Sequence, residues 1–285
     1  MLNSKIFGIA VVVIVVATIG VAYLFTAGEG GTQQVDTQVW WIASDCHLGN
    51  YTENLDSLRV AIIDVNSLGI ADHAAILGDI LNNSRNYADN FFQMMGNLDV
   101  EKYYYVLGNH DFRQSGNTGE NFLPKEYYGS DVLGIRFLFI STEASGATGV
   151  IGSEQFTWLQ DELTIHANQP VFLFSHQPYY EWNVWDDLAP LIQSEGNVKV
   201  WFCGHLHQWV INESVTPYNF IEICDNSLDW SNPMNYSGVF MFLQREGDTV
   251  NVTIKFRNHL NHEWVSVQTV DGMIIDNLSF SVKVA

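Results

Sequence analysis

Five short segments gather carboxylate, imidazole and amide side chains at close spacing. They are Asp45-Cys46-His47, Gly78-Asp79, Gly108-Asn109-His110-Asp111, Ser175-His176 and Gly204-His205-Leu206-His207. Imidazoles, carboxylates and an amide oxygen are donors that suit borderline divalent metals such as Mn, Fe or Zn. In an extended chain residues i and i+2 point the same way. Asp45 and His47 can then face one cation while Cys46 turns away, and His205 and His207 do the same around Leu206. Cys46 reads as a small buried apolar residue rather than a thiolate ligand.

Each segment follows an apolar run with the composition of a buried strand. Gln38–Ala43 (QVWWIA) leads to Asp45, Ala74–Leu77 (AAIL) to Asp79, and Tyr103–Leu107 (YYYVL) to Asn109. Pro170–Phe174 (PVFLF) leads to His176, and Val198–Phe202 (VKVWF) to His205. Short runs rich in Val, Ile, Phe and Tyr, closed by Gly or Ser, are signals of central strands. Donors placed just beyond strand ends converge at one sheet edge, where α/β proteins put their sites. Between the strands the spacing predicts helices over Leu55–Leu68 with Gly69 as a stop, Tyr87–Met95, Ser153–His166 with Ser153 as cap, and Trp185–Ser194. Ile135–Ile140 reads as a strand. Beyond Asn219 the chain is strand-like: Phe220–Ile223, Gly238–Gln244, Val250–Arg257 and a last segment from Trp264 to Val284. The turn Glu246-Gly247-Asp248 predicts a hairpin. Periodicity alone therefore gives an α/β fold.

The 285 residues have room for one substantial domain. Residues 6–25 (IFGIAVVVIVVATIGVAYLF) carry no charge over the length that crosses a bilayer as a helix. We expect a retained membrane anchor over residues 1–27 and a tether over 28–37, followed by one domain over 38–285. Lys5 precedes the span and Glu29 is the first charge after it, so the amino terminus is expected in the cytoplasm and the domain outside. Sequons at Asn50, Asn82, Asn212, Asn235, Asn251 and Asn277 are in keeping with export. Of the three cysteines, Cys46, Cys203 and Cys224, one pair could close a disulfide in an oxidising compartment, with the pairing left open. The net charge of −20 comes from only 12 Lys and Arg against 32 Asp and Glu. Such basic depletion argues against nucleic acid as a partner, because its binding requires cations on phosphates.

In their order and spacing, D-x-H, G-D, G-N-H-D, H and G-H-x-H resemble the calcineurin-like metallophosphoesterase superfamily across roughly Gln38 to Arg257. The segment GVIGSEQFTWLQDEL followed by PVFLFSHQP fits the same pattern. The resemblance implies two packed β-sheets flanked by helices, with a two-metal site at the sheet edge. It implies one cation on Asp45, His47, Asp79 and His207, and a second on Asp79, Asn109, His176 and His205. A bridging hydroxide would attack the phosphoryl group in line. His110 is then left to protonate the leaving oxygen, with Asp111 placed to orient its imidazole. Asn82 stands where purple acid phosphatases carry a tyrosine, and the arginine-containing extension of the Ser/Thr phosphatases is absent after Asp79. What remains resembles the broad class that includes phosphodiesterases, with Asn82 or Asn83 close behind the ligands. The expected substrate is a small-molecule or lipid phosphoester. A nuclease and a scaffold without catalysis are the alternatives; basic depletion counts against the first and the complete ligand set against the second. Tyr179, Tyr180, Trp182 and Trp185 read equally as an aromatic rim or as core packing. Arg113 reads as a surface ion pair or a phosphate contact. His73, His166, His259 and His262 read as structural or exposed.

Overall fold

Trp40 and Trp41 are adjacent, fully buried and turned to opposite sides of one strand. A strand buried on both faces reads as a continuous apolar run, and it needs a layer on each side. The computed structural model describes residues 35–49, 52–111, 123–124, 127–143, 149–224, 228, 237–265, 268–270, 273–275 and 278–284. The span expected over residues 6–25 lies outside them, as does Arg113. Among the described residues no helix is long and apolar enough to cross a membrane.

The chain runs β1 (Asp36–Ala43), α1 (Thr52–Leu68), β2 (His73–Leu77), α2 (Ala88–Met95), β3 (Lys102–Val106), β4 (Tyr128–Val132) and β5 (Ile135–Ile140). It continues through α3 (Ser153–Ile165), β6 (Val171–Ser175), α4 (Trp185–Glu195), β7 (Val198–Cys203), β8 (Val210–Val215) and β9 (Phe220–Cys224). The hairpin β10 (Ser237–Glu246) and β11 (Thr249–Asn258) is as expected, with Gly247 in the left-handed region at its turn. The last segment is not one strand but four short ones: β12 (Glu263–Val265), β13 (Gln268–Val270), β14 (Met273–Ile275) and β15 (Leu278–Lys283). Ser153 is the first helical residue of α3, and Gly152 occupies the cap position without a side chain to offer.

Two sheets result. The first has the order β12-β11-β10-β1-β2-β3 with β15 also on β11; the second has the order β4-β5-β6-β7-β9-β8. β1, β2 and β3 are parallel, and so are β5, β6, β7 and β9. Between the sheets lies an aromatic layer in which Tyr104 stacks on Phe139 at 4.6 Å, Phe139 on Phe174 at 4.6 Å and Phe174 on Phe202 at 5.0 Å. Helices α1 and α2 cover the far face of the first sheet, through Leu58, Val65 and Phe91. Helices α3 and α4 cover the second, through Leu159, Leu163 and Ile192. The α/β class read from periodicity and the two-sheet sandwich implied by the resemblance are both present.

Two further links reinforce the fold, one within the second sheet and one between α1 and the first. Cys203 and Cys224 are register partners on β7 and β9 and form the disulfide, with Cα atoms 4.4 Å apart. Cys46 is buried, as expected for a small apolar residue. On α1, buried Asp64 accepts two hydrogen bonds from Arg257 and one each from His259 and His262. His259 in turn accepts from the Trp41 indole at 3.1 Å. Burial alone would raise the Asp64 carboxyl, but the bonds from His259, Arg257 and His262 hold it well below the usual carboxylate range. A depressed acid stabilises the fold above its unfolded pKa, and that contribution is lost as pH falls through the folded value. Asp64→Ala leaves Arg257 buried without its counter-ion, so a loss of about 3–5 kcal/mol is expected at neutral pH. Urea melts at pH 7 and pH 3 check this: the penalty should shrink on acidification, and an equal penalty at both would discard the charged pairing.

Candidate metal centre

The predicted site residues lie just past the C-terminal ends of β1, β2, β3, β6 and β7, where both sheets present the same edge. The loops after β1 and β2 run side by side. The Asp45 amide donates to Gly78 O, the His47 amide to Asp79 O and the Leu48 amide to Ile80 O. The extended geometry expected for the two x-H motifs is absent. Asp45, His47, Asp79, His205 and His207 all have φ between 45° and 66°. Each of these residues is left-handed, so alternation with Cys46 or Leu206 comes from a twisted loop and not from a pleat. Asp, Asn and His tolerate this region better than most residues, and such strain gathers at functional sites. At Gly108 a Cβ would stand 2.3 Å from the Asp79 amide nitrogen and from its Oδ1, so only glycine lets β3's loop approach Asp79 this closely.

Donor atoms of Asp45, His47, Asp79 and His207 form one cluster within 4.8 Å of one another, and those of Asp79, His176 and His205 form a second. In the first, His47 Nε2 and His207 Nε2 are 3.1 Å apart, and His207 Nε2 lies 3.1 Å from Asp45 Oδ1. His47 Nε2 is 3.7 Å from Asp79 Oδ2. In the second, His176 Nε2 is 3.3 Å from Asp79 Oδ1 and 3.1 Å from Asn109 Oδ1. Asp79 therefore turns one carboxylate oxygen to each cluster. His176 Nδ1 donates to Leu77 O at 2.7 Å, which leaves Nε2 as the nitrogen facing the cluster.

Electrostatics follow from burial. Burial lowers His47 and His205. It would raise Asp45, yet the hydrogen bond from His207 and the charge of His176 keep that carboxyl low. Asp79 is likewise held low against burial by His176, His47 and His110. Burial would lower His176, but Asp79, Asp45 and Glu143 hold it up to about 10. An anionic pocket that binds a proton this firmly is equally a pocket for a cation.

His110 stands outside both clusters, its side chain 31 % exposed. Its Nδ1 lies 2.9 Å from Asn82 Oδ1 and 2.7 Å from Asn83 Nδ2. Asp111 does not orient that imidazole. Its carboxylate accepts the amides of Gly108, Ile80 and Leu81, pinning the loops after β2 and β3 together. Buried there and beside Asp79, its carboxyl is pushed up to about 7 against those three amides. The side chains that meet the His110 ring are those of Asn82 and Asn83.

Sequence reasoning missed three neighbours. Asn54 on α1 donates to His47 O at 2.8 Å. Glu143, past β5, accepts from Gln177 at 2.8 Å and is raised to about 8, chiefly by burial. Glu181 reaches His205. No motif or period marks them. In the aromatic segment Trp182 is buried, Tyr179 and Trp185 pack on the same cluster, and Tyr180 is exposed.

Comparison with known proteins agrees with this arrangement. The pattern that defines the calcineurin-like phosphoesterases matches residues 40–209. No curated protein matches significantly. Among solved structures, a dimetal phosphatase from Danio rerio is 14% identical with a TM-score of 0.58, over 85% of this chain and 98% of its own. A purple acid phosphatase from yellow lupin seeds is 16% identical with a TM-score of 0.59, over 87% of this chain and 54% of its own. GAP50, described as the anchor in the inner membrane complex of Plasmodium, is 12% identical with a TM-score of 0.53, over 87% and 89%. At these identities the likeness is one of fold.

Proposed function

The chain belongs to the calcineurin-like phosphoesterase family, and from that premise we propose a two-metal phosphoester hydrolase tethered to a membrane and facing out of the cytoplasm. One cation would sit on Asp45, His47, Asp79 and His207, the other on Asp79, Asn109, His176 and His205. The observation that carries this reading is Asp79, whose two oxygens face two separate donor clusters. The donor set fits: N and O atoms 3.1–3.8 Å apart are spaced as ligands that share one ion at about 2.0–2.2 Å. When bound, two divalent cations supply an acidified water and a clamp for phosphoryl oxygens.

The chain's own residues do the rest. His176 presents Nε2 because Leu77 O holds its Nδ1 proton. Asn82 Oδ1 can accept the Nδ1–H of the His110 imidazolium, whose Nε2–H would then pass to the departing oxygen and leave the neutral ring. Monoesters and diesters both suit this machinery, and Mn, Fe and Zn all suit the donors. The test is metal content with hydrolysis of an aryl phosphodiester and an aryl phosphomonoester. Two ions per chain and turnover of either ester are expected; one ion or none, with neither ester cleaved, would overturn it.

Membrane attachment is supported by the uncharged run over residues 6–25 behind Lys5. The Cys203–Cys224 disulfide suits an oxidising compartment. Protease added to intact cells should remove the domain and leave a short protected fragment; protection until lysis would reverse the topology.

A further inference from the structure

We propose that Glu181 is a positioning residue for His205, holding its Nε2 proton so that Nδ1 is the nitrogen offered to a cation. The inference rests on the two-metal reading. His205 Nε2 lies 3.3 Å from Glu181 Oε2, and Glu181 is not a member of the Asp79, His176 and His205 donor cluster. A neutral imidazole has one N–H and one lone pair. When a carboxylate takes the N–H, the other nitrogen must carry the lone pair, and such partners also fix ring orientation and raise basicity. His205 needs this because its backbone is held without its ring: the amide donates to Asp45 Oδ2 at 3.0 Å, while the ring is only half-buried.

The turn that delivers Glu181 is built firmly. It is a single 3-10 turn, Tyr179–Glu181, closed by the Glu181 amide on Pro178 O at 3.0 Å. Buried Trp182 follows and donates its indole N–H to Gln177 O at 3.1 Å. The Asn183 amide donates to Gly149 O at 2.8 Å. A Cβ at Gly149, whose φ is +70°, would stand 2.0 Å from Glu181 O. The loop ahead of α3 thus closes on the backbone of Glu181 in a way that only glycine permits, and the carboxylate is presented to His205 from outside the donor cluster.

The test titrates Mn²⁺ by calorimetry into metal-stripped wild type, Glu181→Ala and Glu181→Gln, and records nitrogen-15 imidazole spectra of each. In Glu181→Ala one of two Mn²⁺ sites should weaken about 10–100-fold, as for loss of a partner behind a ligand, while the other is unchanged. Glu181→Gln, whose amide oxygen still accepts, should lose less than Glu181→Ala. His205 should be the Nε2–H tautomer in wild type and a mixture in Glu181→Ala. Two unchanged affinities, or an unchanged His205 tautomer in a folded Glu181→Ala, would overturn the role of Glu181 alone. Should Glu181→Ala not fold, an Nδ1–H tautomer of His205 in wild type would do the same. Failure of wild type to bind two ions would instead overturn the two-metal reading, and this inference with it.

Discussion

Asp79→Asn is expected to abolish hydrolysis and to remove more metal than a change at any other donor. Among the described residues, Asp79 alone has an oxygen in each cluster, Oδ2 beside His47 and Oδ1 beside His176. The substitution keeps nearly the same volume, and Asn tolerates the left-handed φ of 47° found here. Its amide oxygen can still accept from the His110 amide, which donates to Asp79 Oδ1 at 2.7 Å. What disappears is charge at the point shared by both clusters. Removing one preorganised electrostatic contact costs about 10²–10³ in turnover; on the two-metal proposal two cations would share this contact, so activity should fall further. Metal analysis of the folded variant should find fewer than two ions per chain. Full activity with unchanged stoichiometry would discard the bridging assignment.

His110→Asn should keep both metals and lose turnover. The side chain lies outside both donor clusters, with Nε2 3.9 Å from Asp79 Oδ2, and is fixed at Nδ1 by Asn82 and Asn83. A lost general acid costs about 10²–10⁴ in kcat. The loss should be large for alkyl esters, whose leaving oxygen needs the proton, and small for nitrophenyl esters, which depart without it. The comparison to run is kcat for the two ester classes with metal content measured on the same samples. Loss of metal, or equal slowing of both classes, would make His110 a ligand or an electrostatic clamp instead.

Much of this site could be read from one strand of text because its parts follow apolar runs. β1, β2, β3, β6 and β7 end in apolar runs buried on both faces, so the breaks that follow them are abrupt. The two edge strands of the second sheet were not legible. Tyr128–Val132 (YGSDV) and Val210–Val215 (VINESV) are polar and largely solvated, and only pairing with β5 and β9 makes them strands. Partners far apart in sequence were equally hidden: Asp64 meets Arg257 across 193 residues, and nothing local to either announces the other. The spacing of Asp45-Cys46-His47 correctly suggested that two donors share a side, but for a reason the structure replaces. Left-handed loops, not a pleat, put them there. Asp111 shows the limit of adjacency, since its carboxylate turns to three amides and away from the histidine beside it.

The left-handed backbone at five donor positions restricts which amino acids can stand there even after the chemistry is lost. Alanine or a β-branched residue at 45, 47, 79, 205 or 207 would meet a steric cost of about 1–2 kcal/mol on top of the vanished ligand. Asparagine and glycine would not. A descendant of this chain that abandoned hydrolysis but kept its shape should therefore drift toward Asn and Gly at these places. Its former function would stay visible as a scatter of turn-forming residues, still spaced one apart after the first and seventh strands.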